Sequence, residues 1–322
     1  MNIRRILPLL CVVSLLIAIS GCGPAAAPQV AEPVTLLSPE EIATLTTNPT
    51  RMPKQGQAEP TPASQAVEPA FAAFDPANFT DPTTINNEWM PMSPGTRWVY
   101  EGTALDDEGS EIARRIEFTV TDLTKEIAGV RTVVAWILDY NDDELVEKEI
   151  AFYAQDKDGA VWYLGEHPES YEGGVFVEAP TWITGIAGAK PGIKLTAEPK
   201  TGMPPVFQGW GPAVEWSDYG QVEQTGQEVC VPAGCYKDVL VNAESSLGET
   251  NAFQLKYYAR GVGEIRVGWK GDDSSHEELQ LVERTVLSPE ALAEVHALVL
   301  EVEKHAYEVS PDVYGKTAGM GG

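Results

Sequence analysis

The sequence predicts a mainly β protein: a single curled antiparallel sheet, closed as a barrel or left as a half-barrel, over residues 86–287. One long C-terminal helix follows the sheet and a disordered tether precedes it. Three observations carry this. Between 86 and 287, apolar and polar residues alternate in short runs punctuated by Gly, Asp and Asn. After 287 the apolar spacing changes to threes and fours. Before 86 no period is sustained, and eleven of the chain's 24 prolines fall within 23–85.

The chain opens with Arg4-Arg5, an apolar run of fourteen residues from Ile6 to Ile19, and Ser20-Gly21-Cys22. Positive charge, a short apolar core and small residues before a cleavage point make an export signal over 1–21. A small-small-Cys ending marks a lipoprotein signal, with Cys22 acylated as the new N-terminus. The run falls short of the roughly 20 residues a spanning helix needs. The expected location is the cell envelope, lipid-anchored on the extracytoplasmic face of the cell membrane or outer membrane. Residues 22–85 then read as a Pro-rich tether. Its one local exception is Ser38-Pro39-Glu40-Glu41-Ile42, a capping box that opens a short helix.

In the β-domain, Ile116, Phe118 and Val120 alternate with Glu117, Thr119 and Thr121, a half-buried strand. Val130–Asp139 is almost continuously apolar, as in a strand covered on both faces. Leu145–Tyr153 alternates again, and Asp156-Lys157-Asp158-Gly159 turns it into Val161-Trp162-Tyr163-Leu164. Further strands fit 221–231, 235–244, 251–259, 262–269 and 277–286. Residues 165–220 interrupt this meander, with Gly, Pro, Trp182, Trp210 and Trp216 and little strand signal. A stretch of that length reads as a lid, a binding loop or a disordered segment. At the end, Ser288 caps and Pro289 starts a helix over 288–310, with a stripe of Leu292, Val295, Val299, Val302, Ala306 and Val309. The stripe either fills the apolar concavity of the curled sheet or makes a coiled-coil dimer. Residues 311–322 are a flexible tail.

Several motifs occur in order: Pro94-Gly95-Thr96-Arg97-Trp98-Val99-Tyr100-Glu101-Gly102, Tyr153-Ala154-Gln155-Asp156 continuing to Val161-Trp162-Tyr163-Leu164-Gly165-Glu166, Val231-Pro232-Ala233-Gly234 with Tyr236-Lys237-Asp238-Val239, and Lys256-Tyr257-Tyr258-Ala259-Arg260-Gly261-Val262-Gly263. Together they resemble a family of uncharacterised exported bacterial β-rich lipoproteins, which implies no transferable activity. The Pro-Gly-x-x-Trp-x-Tyr opening and the Val-Pro-x-Gly hairpin also resemble the periplasmic lipoprotein-carrier superfamily. That likeness implies a half-barrel closed by helices. The same residues have a plain architectural use as turns and strand faces.

Composition narrows the function classes. The chain carries 22 Lys+Arg against 48 Asp+Glu, a net charge of −26. Such a surface repels nucleic acid and anionic headgroups, so membrane attachment falls to the lipid. With Cys11 in the signal and Cys22 lipidated, Cys230 and Cys235 remain in an oxidising compartment and read as a disulfide across a hairpin neck. A redox-active pair is the sharper alternative. No Gly-x-Ser-x-Gly elbow or zinc-protease spacing exists, and the four histidines are scattered, so no catalytic residue, metal or cofactor is assigned and no enzyme is expected. Acidic clusters at 106–108, 142–144 and 272–273 sit in turns and lack the calcium-loop pattern. The positive reading is a binding or scaffolding module. It holds an apolar or sugar ligand by Trp182, Trp210 and Trp216, or else engages a protein partner without a small ligand. Against that, the three indoles can simply plug the core.

Overall fold

The computed structural model describes residues 68–322. The signal, Cys22, the tether up to residue 67 and the helix expected at Ser38 lie outside the described residues. The strands are β1 (Thr96–Leu105), β2 (Glu111–Ile127), β3 (Val130–Asn141), β4 (Glu144–Gln155), β5 (Val161–Glu172), β6 (Val175–Glu178), β7 (Trp182–Ile183), β8 (Lys190–Leu195), β9 (Val206–Gly211), β10 (Trp216–Val231), β11 (Gly234–Ser245), β12 (Ala252–Ala259), β13 (Gly263–Gly271) and β14 (Glu278–Val286). Twelve of them form a ring, each antiparallel to both neighbours: β1 to β5 in order, then β8 to β14, with β14 returning to β1. The sheet is therefore a closed up-and-down barrel, with no free edge in the ring. At the closing seam β1 and β14 approach so tightly that a Cβ on Gly102 would lie 1.8 Å from the Glu278 carbonyl oxygen. Only glycine fits there.

Residues 165–220 are not a loop. They complete β5, supply β6 to β9 and begin β10. β6, β7 and β8 pair in succession along β5, opposite Ser170–Glu172, Gly165–Glu166 and Val161–Tyr163. They are one interrupted run, and the pieces are too short to show a period of two.

Alternation sorts the side chains. On β3, Val133, Ala135 and Ile137 face inward, while Val134, Trp136 and Leu138 face out into a second apolar cluster. That outer cluster is where α1 (Pro289–Val309) lies, through Val299, Val302 and Ala306. The helix thus packs on the convex face over β2 to β5 instead of filling the concavity. Pairing of β14 with β1 closes the sheet without it, unlike the helix-closed half-barrel that the carrier resemblance implies.

Both flanks of the β-domain are more ordered than composition suggests. Residues 68–85, the end of the expected tether, run along the barrel. Ala70 bridges Val206, and Phe74 and Phe79 pack on Trp162. Three phenylalanines within nine residues give this Pro-rich stretch enough apolar area to dock. The tail at 311–322 is likewise held. Tyr314 is fully buried, the Met320 amide donates to Glu303, and Gly321 exchanges two backbone hydrogen bonds with Thr124.

The outer face also carries a cross-strand charge ladder, with Arg97 paired to Glu117 and Glu283, and Arg115 to Glu117 and Glu101. A lipid-facing barrel carries an apolar band instead. Among the described residues no helix is long and apolar enough to cross a membrane.

Candidate functional site

Eight strands already give a barrel just wide enough for its own side chains to fill, so twelve leave space. A cavity of about 280 Å³ occupies the interior. Its floor is the segment before β1. Met92 pairs with Ile85 and is buried, with Met90 and Pro91 beside it. Asn87 fixes this plug by donating to the carbonyls of Gly159 and Thr196, while its own amide donates to Gln155. Glu88 accepts from the Gly261 amide, and Arg260 lies over the Trp89 ring. The plug is thereby tied to three of the hairpins at one barrel end.

An aromatic ladder forms much of the wall. Trp98 meets Phe118 edge-on, Phe118 meets Tyr153, Tyr153 stacks on Tyr163 at 4.7 Å, and Tyr163 meets Trp216 and Trp182 edge-on. Trp182 and Trp216 stack at 4.7 Å. The structure thus brings two of the three expected tryptophans together, in different roles. Trp216 lines the cavity, and Trp182 is buried behind it as backing. Trp210 is elsewhere, with Phe71 and Lys190, where residues 68–85 dock.

Apolar side chains such as Ile116, Ile137, Val267 and Leu279 also line the cavity, together with a charged set: Glu149, Glu166, Asp218 and Glu264, with Lys194 and Lys256. Lys194 donates to Glu244 at 2.8 Å and to Gln208 at 3.1 Å. Burial opposes charge on Lys194 and Lys256, but the surrounding carboxylates raise both and keep them protonated. Burial likewise opposes ionised Glu244, and the two lysines overcome it and hold its pKa down. The other carboxyls go the opposite way. Burial first, then Glu244 and Glu166, push Asp218 up to about 7 against the pull of Lys194 and Lys256. Burial, helped by Asp139 and Glu166, raises Glu147 to about 7. Tyr163 donates its one phenolic proton to Glu166, yet its oxygen also lies 3.0 Å from Glu149 Oε1. The contact is satisfied when Glu149 is protonated and donates, which agrees with burial and the Glu166 charge pushing Glu149 well up. Asp218, Lys256 and Glu264 have no side-chain hydrogen-bond or ion-pair partner among the described residues.

This interior sets a pH dependence with a definite sign. In the unfolded chain these carboxyls ionise near pH 4, roughly. In the barrel Asp218 and Glu147 hold protons to about 7. The folded state therefore binds more protons in that window, and stability rises as pH falls through 7 toward 4. The thermal midpoint is expected to be higher at pH 5 than at pH 8, with a flatter slope for Asp218→Asn. Equal midpoints at the two pH values would exclude raised interior carboxyls.

The histidines lie away from this cavity. His167 is fully buried between β5 and α1, with Nδ1 2.6 Å from Thr181 Oγ1 and Nε2 3.2 Å from Glu169. Burial would raise Glu169, but hydrogen bonds from His167, Tyr171 and His305 hold it at about 2. Polar groups do converge on His167, but Thr181 and Glu169 are as enclosed as the ring, so the cluster cements α1 to the barrel. Acid below pH 4 should weaken that joint as Glu169 is protonated. The expected reading is hydrogen exchange in 289–309 that speeds up in acid relative to β11, a pH dependence that should vanish in Glu169→Gln, whose helix exchanges fast throughout. His276 stacks on Trp269 at 3.7 Å, and His296 pairs with Asp122. Among the described residues no three His, Cys, Asp or Glu side chains are grouped as a metal site requires.

Cys230 and Cys235 are a cross-strand pair of the β10–β11 hairpin and are bonded to each other. The bond closes a short loop, so replacing both with serine is expected to cost about 2 kcal/mol of unfolding free energy. Ligand uptake should be unchanged, because neither sulfur lines the cavity. Reduced uptake by the double variant would contradict that separation.

The ionisable lining carried a weak sequence signal. In β4, Glu147 and Glu149 share a face with the buried Ala151 and Tyr153. Charge in phase with a core face is unusual in a sheet with an apolar interior.

No family model matches the chain, and no curated protein does. Among solved structures, the chain is similar to a protein described as a putative lipoprotein from Parabacteroides distasonis. The two share 14% identity, the match covers 61% of this chain and 97% of the other, and the TM-score is 0.34. At that level the likeness assigns neither fold family nor function.

Proposed function

We propose that this protein is a lipid-anchored, extracytoplasmic binding protein that holds a small ligand inside its barrel. One observation carries the reading: a closed twelve-stranded ring whose interior the described residues leave unfilled, floored by a tethered plug and lined by stacked aromatics and polar groups. Concave, largely preformed sites with a few aimed polar groups are where proteins take up small molecules. The export signal and Cys22 supply the anchor, and the acidic body keeps the domain soluble beyond it. No catalytic step is assigned to the interior.

Two measurements test this. Native mass spectrometry of the mature chain extracted in detergent is expected to show a small molecule bound one to one. A bare protein whose Trp216 fluorescence is unmoved by a millimolar fragment panel would remove the binding reading. Labelling cells with an alkyne fatty acid should mark the wild type and leave Cys22→Ala unmarked. Equal labelling of the two would remove the anchor.

A further inference from the structure

The barrel's two ends differ sharply in charge. Five strand connections share the plugged end, at 128–129, 156–160, 196–205, 232–233 and 260–262. They carry three carboxylates (Asp156, Asp158, Glu198) balanced by Lys157, Lys200 and Arg260. The six connections at the opposite end are 106–110, 142–143, 173–174, 212–215, 246–251 and 272–277. They carry ten carboxylates and no lysine or arginine. The three acidic clusters of the sequence, scattered from Asp106 to Asp273, are thus gathered by the up-and-down topology onto one rim. Asp218 connects that rim to the interior. It lines the cavity and also a depression of about 340 Å³ shared with Glu244, Glu249 and Asp273.

Resting on the binding reading above, we propose that the barrel takes a small organic cation, an amine or quaternary ammonium with an aromatic or apolar body, entering through the carboxylate-ringed end. The cavity, the ladder and the rim all favour this class. Ring faces such as those of Trp216 and Tyr153 attract cations by their quadrupoles, and more strongly in a desolvated site. Four carboxyls line the cavity against two lysines, and Lys194 is already engaged by Glu244 and Gln208. Among the described residues Asp218 and Glu264 have no side-chain hydrogen-bond or ion-pair partner. A neutral ligand leaves them so, and an anion is tolerated only while both stay protonated, with Lys256 alone to hold it. A cation satisfies them and displaces the proton that Asp218 retains near neutrality. The rim concentrates cations at the mouth and speeds entry in a salt-dependent way. A bare metal ion is a poorer fit, because it needs several oxygens converging on one point.

The test uses three compounds sharing one indole body, titrated calorimetrically into the full mature chain at pH 7.5: tryptamine, the neutral tryptophol and the anion indole-3-acetate. Tryptamine is expected to bind at least about tenfold more tightly than tryptophol, and indole-3-acetate not at all. Proton release should follow tryptamine alone, read as heats that differ between two buffers. Asp218→Asn with Glu264→Gln should abolish the preference for tryptamine over tryptophol. Should that pair fail to fold, Asp106→Asn with Asp107→Asn and Glu108→Gln, in an exposed turn, should slow tryptamine association without changing its dissociation rate. Tryptophol or indole-3-acetate binding as tightly as tryptamine overturns the cation inference and leaves the binding reading standing. So does a neutral or anionic molecule co-purifying with the protein. Failure of all three compounds together with an empty native mass spectrum overturns both.

Discussion

Lys125→Ala is expected to lower the unfolding free energy by about 3–5 kcal/mol, read from denaturant melts. The Lys125 side chain is fully enclosed beneath α1. Its ammonium donates to Glu303 at 2.9 Å and to the Ala318 carbonyl at 2.5 Å, and lies 4.3 Å from the centre of the Tyr314 ring. Glu303 in turn accepts from the Tyr314 hydroxyl and the Met320 amide. Removing the lysine leaves a buried carboxylate with no counter-charge and frees the tail as well as the helix. Burial pulls the Lys125 pKa down while Glu303 resists, so the pair is held together against a real desolvation cost. Lys125→Met with Glu303→Leu should therefore recover most of the loss, because both charges go together. A single variant that loses less than about 1 kcal/mol would show that water reaches the site.

Trp182→Ala is expected to cost a similar amount, about 3–5 kcal/mol, and to weaken ligand uptake with it. The indole is 2% exposed and is gripped by β9, where a Cβ on Gly209 or Gly211 would come within 3 Å of its ring. The two glycines make the slot that the ring fills. Truncation opens a void in that slot and removes the surface on which Trp216 stacks, so Trp216 loses its fixed orientation in the cavity. Trp182→Phe should restore most of the stability and part of the uptake. Trp210→Ala is the control: it sits with Phe71 outside the cavity and should leave uptake unchanged. Equal loss of uptake in Trp182→Ala and Trp210→Ala would contradict this division of the tryptophans.

The parts of the fold legible from sequence are those where one local pattern repeats long enough to be counted. β2, β3 and β4 each run twelve residues or more with a clear alternation or a two-sided apolar run, and α1 announces itself by Ser288, Pro289 and its stripe. β6 to β9 escaped because each is two to six residues long and two of them contain Pro or Gly, the residues that elsewhere mark turns. The order at 68–85 escaped because its three prolines continue the pattern of the preceding tether, while three phenylalanines do the docking. The site was half legible. Tryptophans flagged 165–220, but chain proximity put Trp210 with Trp216, whereas the antiparallel pairing of β9 with β10 sends Ser217, not Trp216, opposite Trp210.

What the sequence determined by itself is local: a strand-rich body, the hairpin that Cys230 and Cys235 close, and a capped amphipathic helix. Each follows from residues within a few positions of one another, where backbone propensity and side-chain period act directly. Closure of the ring, the face the helix covers and the company kept by Asp218, Trp216 and Lys256 were decided only in three dimensions. Those depend on strands as far apart as β1 and β14 finding each other, and the interior of a barrel belongs to no single segment of its chain.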